Sequence, residues 1–208
     1  MAATTQLMTF GHLTIEYDAR VLKPRVWTEL QSAWAAELLE HLPPGDVLEV
    51  CAGAGHIGLL AVAGTPRHLV QVDADETACS FARANAARAG AAVEVRHGWM
   101  QEVLRDDERF ALVIADPPWV PSDETSAHPD DPLTAIDGGD DGLDVIRTCL
   151  GVISRHLMDD GAAVLQVGDV AQAEAVTAYV DAQSVLGLRT VTHRTADDGA
   201  LLHLARRG

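Results

Sequence analysis

The stretch that decides the fold is Val47-Leu-Glu-Val-Cys-Ala-Gly53-Ala-Gly55-His-Ile-Gly58. Residues 47–51 are a short apolar run that predicts a buried strand, and residues 57–63 predict an apolar helix. The glycines between them allow a sharp turn and a close approach of the backbone to a ligand. A strand, a glycine-rich loop and a helix in this order predict a ligand site at the carboxyl end of a parallel sheet.

Strands and helices alternate along the rest of the chain. The predicted strands cover residues 69–72, 93–96, 112–115 and 162–167, followed by an antiparallel pair at 188–193 and 200–205. The predicted helices cover residues 28–41, 76–89, 99–105, 141–158 and 170–182, after a β-like segment at 12–17. Nearly continuous apolar strands separated by helices indicate a parallel sheet covered on both faces. We therefore predict an α/β fold with a doubly wound, mostly parallel, seven-stranded sheet.

A length of 208 residues is typical of one domain. We expect a single domain over residues 1–208, with an N-terminal cap and first helix in 1–45 and the core in 46–208. No apolar run approaches the roughly 20 residues that a membrane helix needs, and no secretory signal is evident. Three widely spaced cysteines (Cys51, Cys79 and Cys149) and nine scattered histidines indicate neither disulfides nor a metal site. The expectation is a cytoplasmic protein without membrane attachment.

The chain is strongly acidic, with 15 basic and 31 acidic residues and a formal net charge of −16. Nine of the acidic residues lie between Asp116 and Asp144, a stretch that contains no lysine or arginine. Such a charge repels phosphate backbones. It therefore argues against a nucleic-acid substrate.

The spacing of Gly53, Gly55 and Gly58 matches the pattern of loops that bind dinucleotides. Asp73 follows about twenty residues later, at the end of the second predicted strand of the sheet, where a carboxylate can accept hydrogen bonds from ribose hydroxyls. This pattern alone does not separate a nicotinamide cofactor from S-adenosylmethionine. Glu49 favours S-adenosylmethionine, because a carboxylate beside the loop opposes a pyrophosphate but can pair with the cationic methionine end of that molecule, directly or through water.

The fourth predicted strand of the sheet ends in Ala115-Asp116-Pro117-Pro118-Trp119. Two prolines make this loop rigid and remove its N–H donors. The Asp116 carboxylate and the Pro117 carbonyl are acceptors, and Trp119 offers a flat face. These groups suit a planar group with N–H bonds, whose nitrogen lone pair would point at a methyl donor. The non-periodic residues 120–139 follow directly and are interpreted as a wall or lid of the substrate site.

These motifs resemble those of class I S-adenosylmethionine-dependent methyltransferases. Asp116-Pro-Pro-Trp119 is similar to the Asn/Asp-Pro-Pro-Tyr/Trp signature of amino-group methyltransferases. Residues 22–29, 48–60, 84–86, 131–144 and 161–168 resemble, in order, segments of the HemK-type release-factor glutamine methyltransferases. The resemblance covers residues 10–182 and implies a Rossmann-like fold, S-adenosylmethionine as cofactor, and methylation of a glutamine amide on a protein.

The chain departs from that family at three positions and in one larger feature. Asp116 stands where the family usually has Asn, and Trp119 where it usually has Tyr. Trp99 occupies the position of an acid that faces the adenine amino group, so it is a candidate cofactor residue. The bacterial enzymes also carry an N-terminal helical domain, whereas about 27 residues precede the first predicted helix here. A shorter branch of the family lacks that domain and works with a small partner subunit.

The predicted function is an S-adenosylmethionine-dependent N-methyltransferase. Its catalytic candidates are Asp116, Pro117 and Trp119, and its cofactor-binding candidates are Glu49, Gly53, Gly55, Asp73 and Trp99. The acceptor is either a glutamine amide of a release-factor-like protein, as the resemblance implies, or an amine or guanidine of a small molecule, as Asp116 and the acidic stretch suggest. A non-catalytic S-adenosylmethionine-binding subunit and an NAD-dependent reductase are the alternatives, and a small partner subunit or a homodimer is possible.

Overall fold

Two sheets are present in the computed structural model, which describes residues 4–196 and 199–208. An N-terminal antiparallel hairpin consists of β1 (Gln6–Phe10) and β2 (Leu13–Tyr17). The strands of the central sheet are β3 (Val47–Val50), β4 (Leu69–Asp73), β5 (Val93–His97), β6 (Phe110–Ala115), β7 (Leu157–Val167), β8 (Leu188–Ala196) and β9 (Gly199–Arg206). The helices are α1 (Glu29–Leu39), α2 (His56–Val62), α3 (Glu76–Ala89), α4 (Met100–Val103), α5 (Leu133–Ile136), α6 (Asp144–His156) and α7 (Val170–Ala182).

The central sheet has the strand order β5-β4-β3-β6-β7-β9-β8. All neighbouring pairs are parallel except those that β9 makes with β7 and β8. Helices α1, α2 and α3 pack with the hairpin on one face, while α4, α6 and α7 pack on the other. The predicted doubly wound, mostly parallel, seven-stranded sheet is thus confirmed. Strands β3 and β6 lie side by side at the centre, so the loops after them open at the same edge.

Local sequence explains where several helices begin and end. The Asp75 carboxylate accepts a hydrogen bond from the backbone N–H of Thr77 and caps the start of α3. Gly90 ends α3 in the left-handed conformation, with φ at 63°. The predicted bounds of α3 and α7 match those of the structure.

Other bounds differ from the prediction. The long helix expected at 141–158 is shorter, because Leu157 is already extended and begins β7. The helix expected at 28–41 begins one residue later, after a 3-10 turn at Val26–Thr28. The helix expected at 99–105 is the single turn of α4, because Leu104 is extended. Strand β1 was not predicted, since only Phe10 of its side chains is buried and no apolar alternation marks it.

The side chain of Asn85 on α3 joins the hairpin to the loop after β3. Its amide nitrogen donates to the carbonyls of Glu16 and Ala54, at 3.0 and 2.9 Å. Its amide oxygen accepts from the backbone N–H of Glu16 at 2.7 Å. Asn85 is almost fully buried, so these bonds are shielded from water and hold the hairpin against the glycine-rich loop.

Among the described residues, no helix combines the length and the apolar character that crossing a membrane requires.

Candidate active site

A cavity of about 730 Å³ lies at the carboxyl edge of the central sheet. Its floor is made by residues that follow four neighbouring parallel strands: 51–54 after β3, 73–76 at the end of β4, 98–100 after β5, and 116 and 118 after β6. Its walls are residues 20–23, 25 and 28 before α1 and residues 132–135 and 137 around α5. The volume is that of a small-molecule site, at the edge where open α/β sheets bind their ligands.

The loop after β3 borders the cavity directly. Gly53 has a φ of +53°, and a Cβ added there would meet no atom within 4 Å, so this backbone faces open space. Cys51 also lines the cavity and is the one non-glycine residue with positive φ in the described part of the chain. Backbone strain of this kind is concentrated at binding sites. Gly55 is the N-cap residue immediately before α2 and does not line the cavity.

Asp73 connects the ends of β3 and β4. One carboxylate oxygen accepts from the backbone N–H of Gly53 at 2.7 Å, and the other accepts from the backbone N–H of Asp75 at 2.9 Å. Asp73 lines the cavity, and its burial raises the pKa of its carboxyl group. Each oxygen still has a lone pair for a ligand hydroxyl. The structure therefore brings Asp73 and Gly53 together, as the sequence predicts.

Glu49 lies behind the loop and does not line the cavity. Its two oxygens accept from the backbone N–H of Gly58 at 3.0 Å and from the Gln71 side-chain amide at 2.6 Å, and the same amide donates to the carbonyl of Gly55. Burial raises the pKa of Glu49 to about 7. In this structure Glu49 supports the loop from below. Its pairing with a cofactor stays a prediction.

Asp116 reaches the cavity from the end of β6, beside Pro118. No hydrogen bond or ion pair joins its carboxylate to another described residue, and desolvation raises its pKa to about 7. Gln31 on α1 supports the strand end, because its buried amide donates to the carbonyls of Ala115 and Val164. Asp116 therefore presents a poorly solvated carboxyl group to any ligand in the cavity.

The two other catalytic candidates lie just outside the lining of the cavity. Pro117 is buried. The half-buried Trp119 packs with its ring against Gly168, and its carbonyl accepts from the side chain of Gln172 at 2.8 Å. These contacts fix the loop to the segment after β7. A direct contact of Pro117 or Trp119 with a substrate stays a prediction.

Trp99 stands at the opposite end of the cavity floor, immediately before α4, and 60% of its surface is exposed. Gly98, Trp99 and Met100 follow β5, next to Asp73 on the neighbouring strand. A flat side chain here can contact a heterocyclic base. This placement agrees with the predicted position of Trp99, while its role in binding the adenine is still untested.

Within residues 120–139, which the sequence interpretation proposed as a wall or lid, residues 132–135 and 137 line the cavity. An ion pair between Arg25 and Asp131 ties this wall to the segment before α1. The Arg25 guanidinium also lies 5.4 Å from the Trp27 ring centroid. Both charged residues belong to motifs that the sequence analysis quoted, yet their pairing across 106 positions was not predicted.

His56 is a lining residue that sequence reasoning missed. It is 8% exposed, packs edge-on against Phe10, and its Nδ1 has no hydrogen-bond partner among the described residues. Burial lowers its pKa to about 3, so its imidazole is neutral near pH 7. A histidine inside a glycine-rich loop gives no signal from spacing alone, because its burial depends on the distant hairpin.

These features fit S-adenosylmethionine. The Asp73 carboxylate suits the ribose hydroxyls, the open face of Gly53 admits the methionine part, and Trp99 and Met100 border space for the base. The acidic lining, which includes Asp116, suits a cofactor with a sulfonium and an ammonium group.

Comparison with known proteins agrees with this geometry. The family described as methyltransferase small domain matches residues 27–129. A release factor glutamine methyltransferase from Mycolicibacterium smegmatis is 31% identical over 178 residues, which are 82% of this chain and 62% of that protein. The ribosomal protein uL3 glutamine methyltransferase of Burkholderia pseudomallei is 30% identical over 188 residues, covering 80% of this chain and 59% of that protein.

The fold is also found among solved structures. The catalytic domain of hMettl16, in complex with MAT2A 3'UTR hairpin 1, superposes with a TM-score of 0.73 at 15% identity, covering 94% of this chain and 75% of that one. The chain is thus similar to methyltransferases in sequence and shares the fold of the class I S-adenosylmethionine-dependent methyltransferases. S-adenosylmethionine is the cofactor of this family. The chain spans about 60% of the length of the two glutamine methyltransferases.

Proposed function

We propose that this methyltransferase transfers a methyl group from S-adenosylmethionine to a nitrogen atom held at Asp116. The observation that carries the proposal is the position of the Asp116 carboxyl group, which faces the same cavity as Gly53 and Asp73 and has no partner among the described residues. The rigid Asp-Pro-Pro segment fixes it at the end of the central strand β6. A nitrogen that donates a hydrogen bond to Asp116 would lie over the carboxyl ends of the strands, beside the cofactor loop.

The chain's own residues supply positioning and charge. S-adenosylmethionine supplies an electrophilic methyl group when bound. Asp116 accepts a hydrogen bond from an N–H of the acceptor and orients its nitrogen. The ionised carboxylate stabilises the positive charge that develops on this nitrogen as the N–C bond forms and the S–C bond breaks, and the proton that the nitrogen then loses passes to this carboxylate or to water. The Arg25–Asp131 pair fixes the lining segment that follows Asp131 to the segment before α1.

Two acceptor classes follow from different observations. The relatives in the comparison are named as glutamine methyltransferases of release factors and of ribosomal protein uL3, which supports a protein glutamine amide. The Asp116 carboxylate favours a basic nitrogen, because a charge is useful where the acceptor is cationic or becomes so. We propose the protein glutamine amide as the first class to test and the amine or guanidine of a small molecule as the second.

The test is methyl transfer from radiolabelled S-adenosylmethionine to a release factor, to ribosomal protein uL3 and to a panel of amines and guanidines. Wild type, Asp116→Asn and the exposed loop variant Asp123→Asn are compared. If the acceptor is basic, Asp116→Asn abolishes its turnover even at saturating cofactor, while Asp123→Asn retains it. If wild type methylates the protein glutamine and ignores basic acceptors, the charge argument is wrong. Binding of the cofactor without transfer to any acceptor would favour a non-catalytic subunit.

A further inference from the structure

Three cationic side chains line the cavity of this acidic chain: Arg20, Lys23 and Arg25. Arg20 is bound by the Asp18 carboxylate through hydrogen bonds of 2.6 to 3.1 Å. Arg25 is bound by Asp131. Lys23 makes no hydrogen bond or ion pair with any residue that the structure describes. It is also the single lysine of the chain.

The acidic residues that line the cavity can also be divided into those with a hydrogen-bond or ion-pair partner and those without one. Asp73 and Asp75 accept backbone N–H bonds, and Asp137 is bound by the Ser122 hydroxyl and a backbone N–H. Glu76 contacts Arg83. Asp116 alone among the described lining acids has no partner. The cavity thus presents one unpaired cation and one unpaired carboxyl group, which together match a ligand that carries charges of both signs.

The backbone around Lys23 is held in place. The neighbouring Val21 and Pro24 are buried, and the turn before them is closed by hydrogen bonds from Val21 and Arg20 to Asp18. The same wall continues into Thr28, which also lines the cavity. Helix α1 then contacts the loop side of α2, where the Ser32 hydroxyl donates to the carbonyl of Ile57 at 3.0 Å. The wall that carries Lys23 therefore stands beside the glycine-rich loop.

We infer that Lys23 binds the methionine carboxylate of S-adenosylmethionine. This rests on the proposed use of the cavity, in which the ribose lies at Asp73 and the sulfonium must face Asp116. The methionine part then runs along the loop toward the wall of residues 20–28. Its carboxylate needs a cation there, since an unpaired anion in an acidic cavity is repelled by its surroundings. Arg20 and Arg25 are already neutralised, so Lys23 is the residue that can receive it.

The test measures, by calorimetry, how S-adenosylmethionine and decarboxylated S-adenosylmethionine bind to wild type and to three variants. Lys23→Met keeps the length of the side chain and removes its charge, Lys23→Arg restores a charge, and the exposed Arg155→Met on α6 controls for net charge. Lys23→Met should weaken S-adenosylmethionine binding about tenfold to a hundredfold. It should bind decarboxylated S-adenosylmethionine as well as wild type does. Lys23→Arg should recover part of the loss, and Arg155→Met should change neither affinity by more than about twofold.

Chemical modification gives a second readout that does not depend on a variant. Because the chain has a single lysine, an amine-reactive acetylating reagent modifies only Lys23 and the N-terminus. S-adenosylhomocysteine should protect Lys23 of the wild-type protein, and 5′-methylthioadenosine, which lacks the carboxylate, should not. Mass spectrometry of the peptide that contains Lys23 measures both.

Equal loss of affinity for both ligands in Lys23→Met, or unchanged affinity for S-adenosylmethionine, would overturn the inference. An increase confined to the KM of an acceptor would also overturn it, since the carboxylate would then belong to the acceptor. Failure of methyl transfer is separable from the two calorimetric outcomes, because the calorimetric cycle measures binding alone. If wild type does not bind S-adenosylmethionine, the proposed function fails first.

Discussion

The charge on Asp116 should make the free protein less stable as the pH rises. The ordinary pKa of this carboxyl group is 3.8, and desolvation in the cavity raises it to about 7. Because the folded state holds the proton more tightly than the unfolded state, stability falls as the pH rises from about 4 to 7 and then levels off. Asp116→Asn is neutral at every pH and removes this dependence. The variant should therefore gain stability over wild type as the pH increases.

The size of the gain follows from these two pKa values. Full ionisation of Asp116 costs the folded state roughly 4 kcal/mol, at about 1.4 kcal/mol for each pKa unit. Part of that cost is already present at pH 5, because the Asp116 carboxyl group of the unfolded chain is already ionised there. The advantage of Asp116→Asn over wild type should thus grow by about 2–3 kcal/mol between pH 5 and pH 8. For a protein of this size the corresponding increase in the difference between their Tm values is about 5–10 °C.

Urea unfolding of both proteins at pH 5, 6, 7 and 8, without ligand, measures this difference. Asp73 also has a raised pKa but is present in both proteins, so its contribution cancels. The Asp116 charge helps to raise the pKa of Glu49, so Asp116→Asn also eases the ionisation of Glu49 and adds to the gain in the same direction. The exposed Asp123→Asn variant should keep the pH profile of wild type. If the difference in the free energy of unfolding between Asp116→Asn and wild type is the same at all four pH values, Asp116 is not desolvated and the electrostatic part of the proposal is wrong.

Two further predictions concern the cofactor loop and the chemical loop. Asp73→Ala removes acceptors for the Gly53 N–H and for the ribose, so calorimetry should show S-adenosylmethionine binding weakened about tenfold or more; unchanged affinity would reject the assignment. Gly168→Ala places a Cβ 2.5 Å from the Trp119 ring, so it should displace that ring and lower kcat while cofactor affinity holds. Gly151→Ala, in open space within α6, is the matched control and should raise stability by about 0.5–1 kcal/mol at unchanged activity.

The sequence predicts the sheet and the position of the site well, because both depend on local patterns. Apolar strands such as β3 and β6 and capped helices such as α3 are visible as short runs of residues. Gly53, Asp73 and Asp116 lie at the carboxyl ends of β3, β4 and β6, which are neighbours in the sheet, so topology brings them together. The class of cofactor follows from the same motifs.

Contacts and burial that depend on residues far apart in the chain could not be predicted from the sequence. The acid–glycine spacing suggested that Glu49 pairs with the cofactor, directly or through water, but it did not reveal that Gly58 and Gln71 bind the two oxygens of Glu49 beneath the loop. The burial of His56 depends on Phe10, which lies on a strand that shows no apolar alternation. Lys23 draws attention only when the arginines beside it are seen to be paired. The division of the chain at residue 46, a partner subunit and a cytoplasmic location stay predictions.

The three hydrogen bonds of Asn85 couple the N-terminal hairpin to the glycine-rich loop, although the hairpin does not line the cavity. One amide group serves the hairpin and the carbonyl of Ala54 at the same time, so neither segment can shift without releasing the other. A ligand that orders the loop should therefore also stabilise the docked hairpin. By reciprocity, a change that undocks the hairpin should weaken binding of the ligand by the same coupling free energy. The order of residues 6–17 should then depend on whether a ligand occupies the cavity, although these residues do not line it.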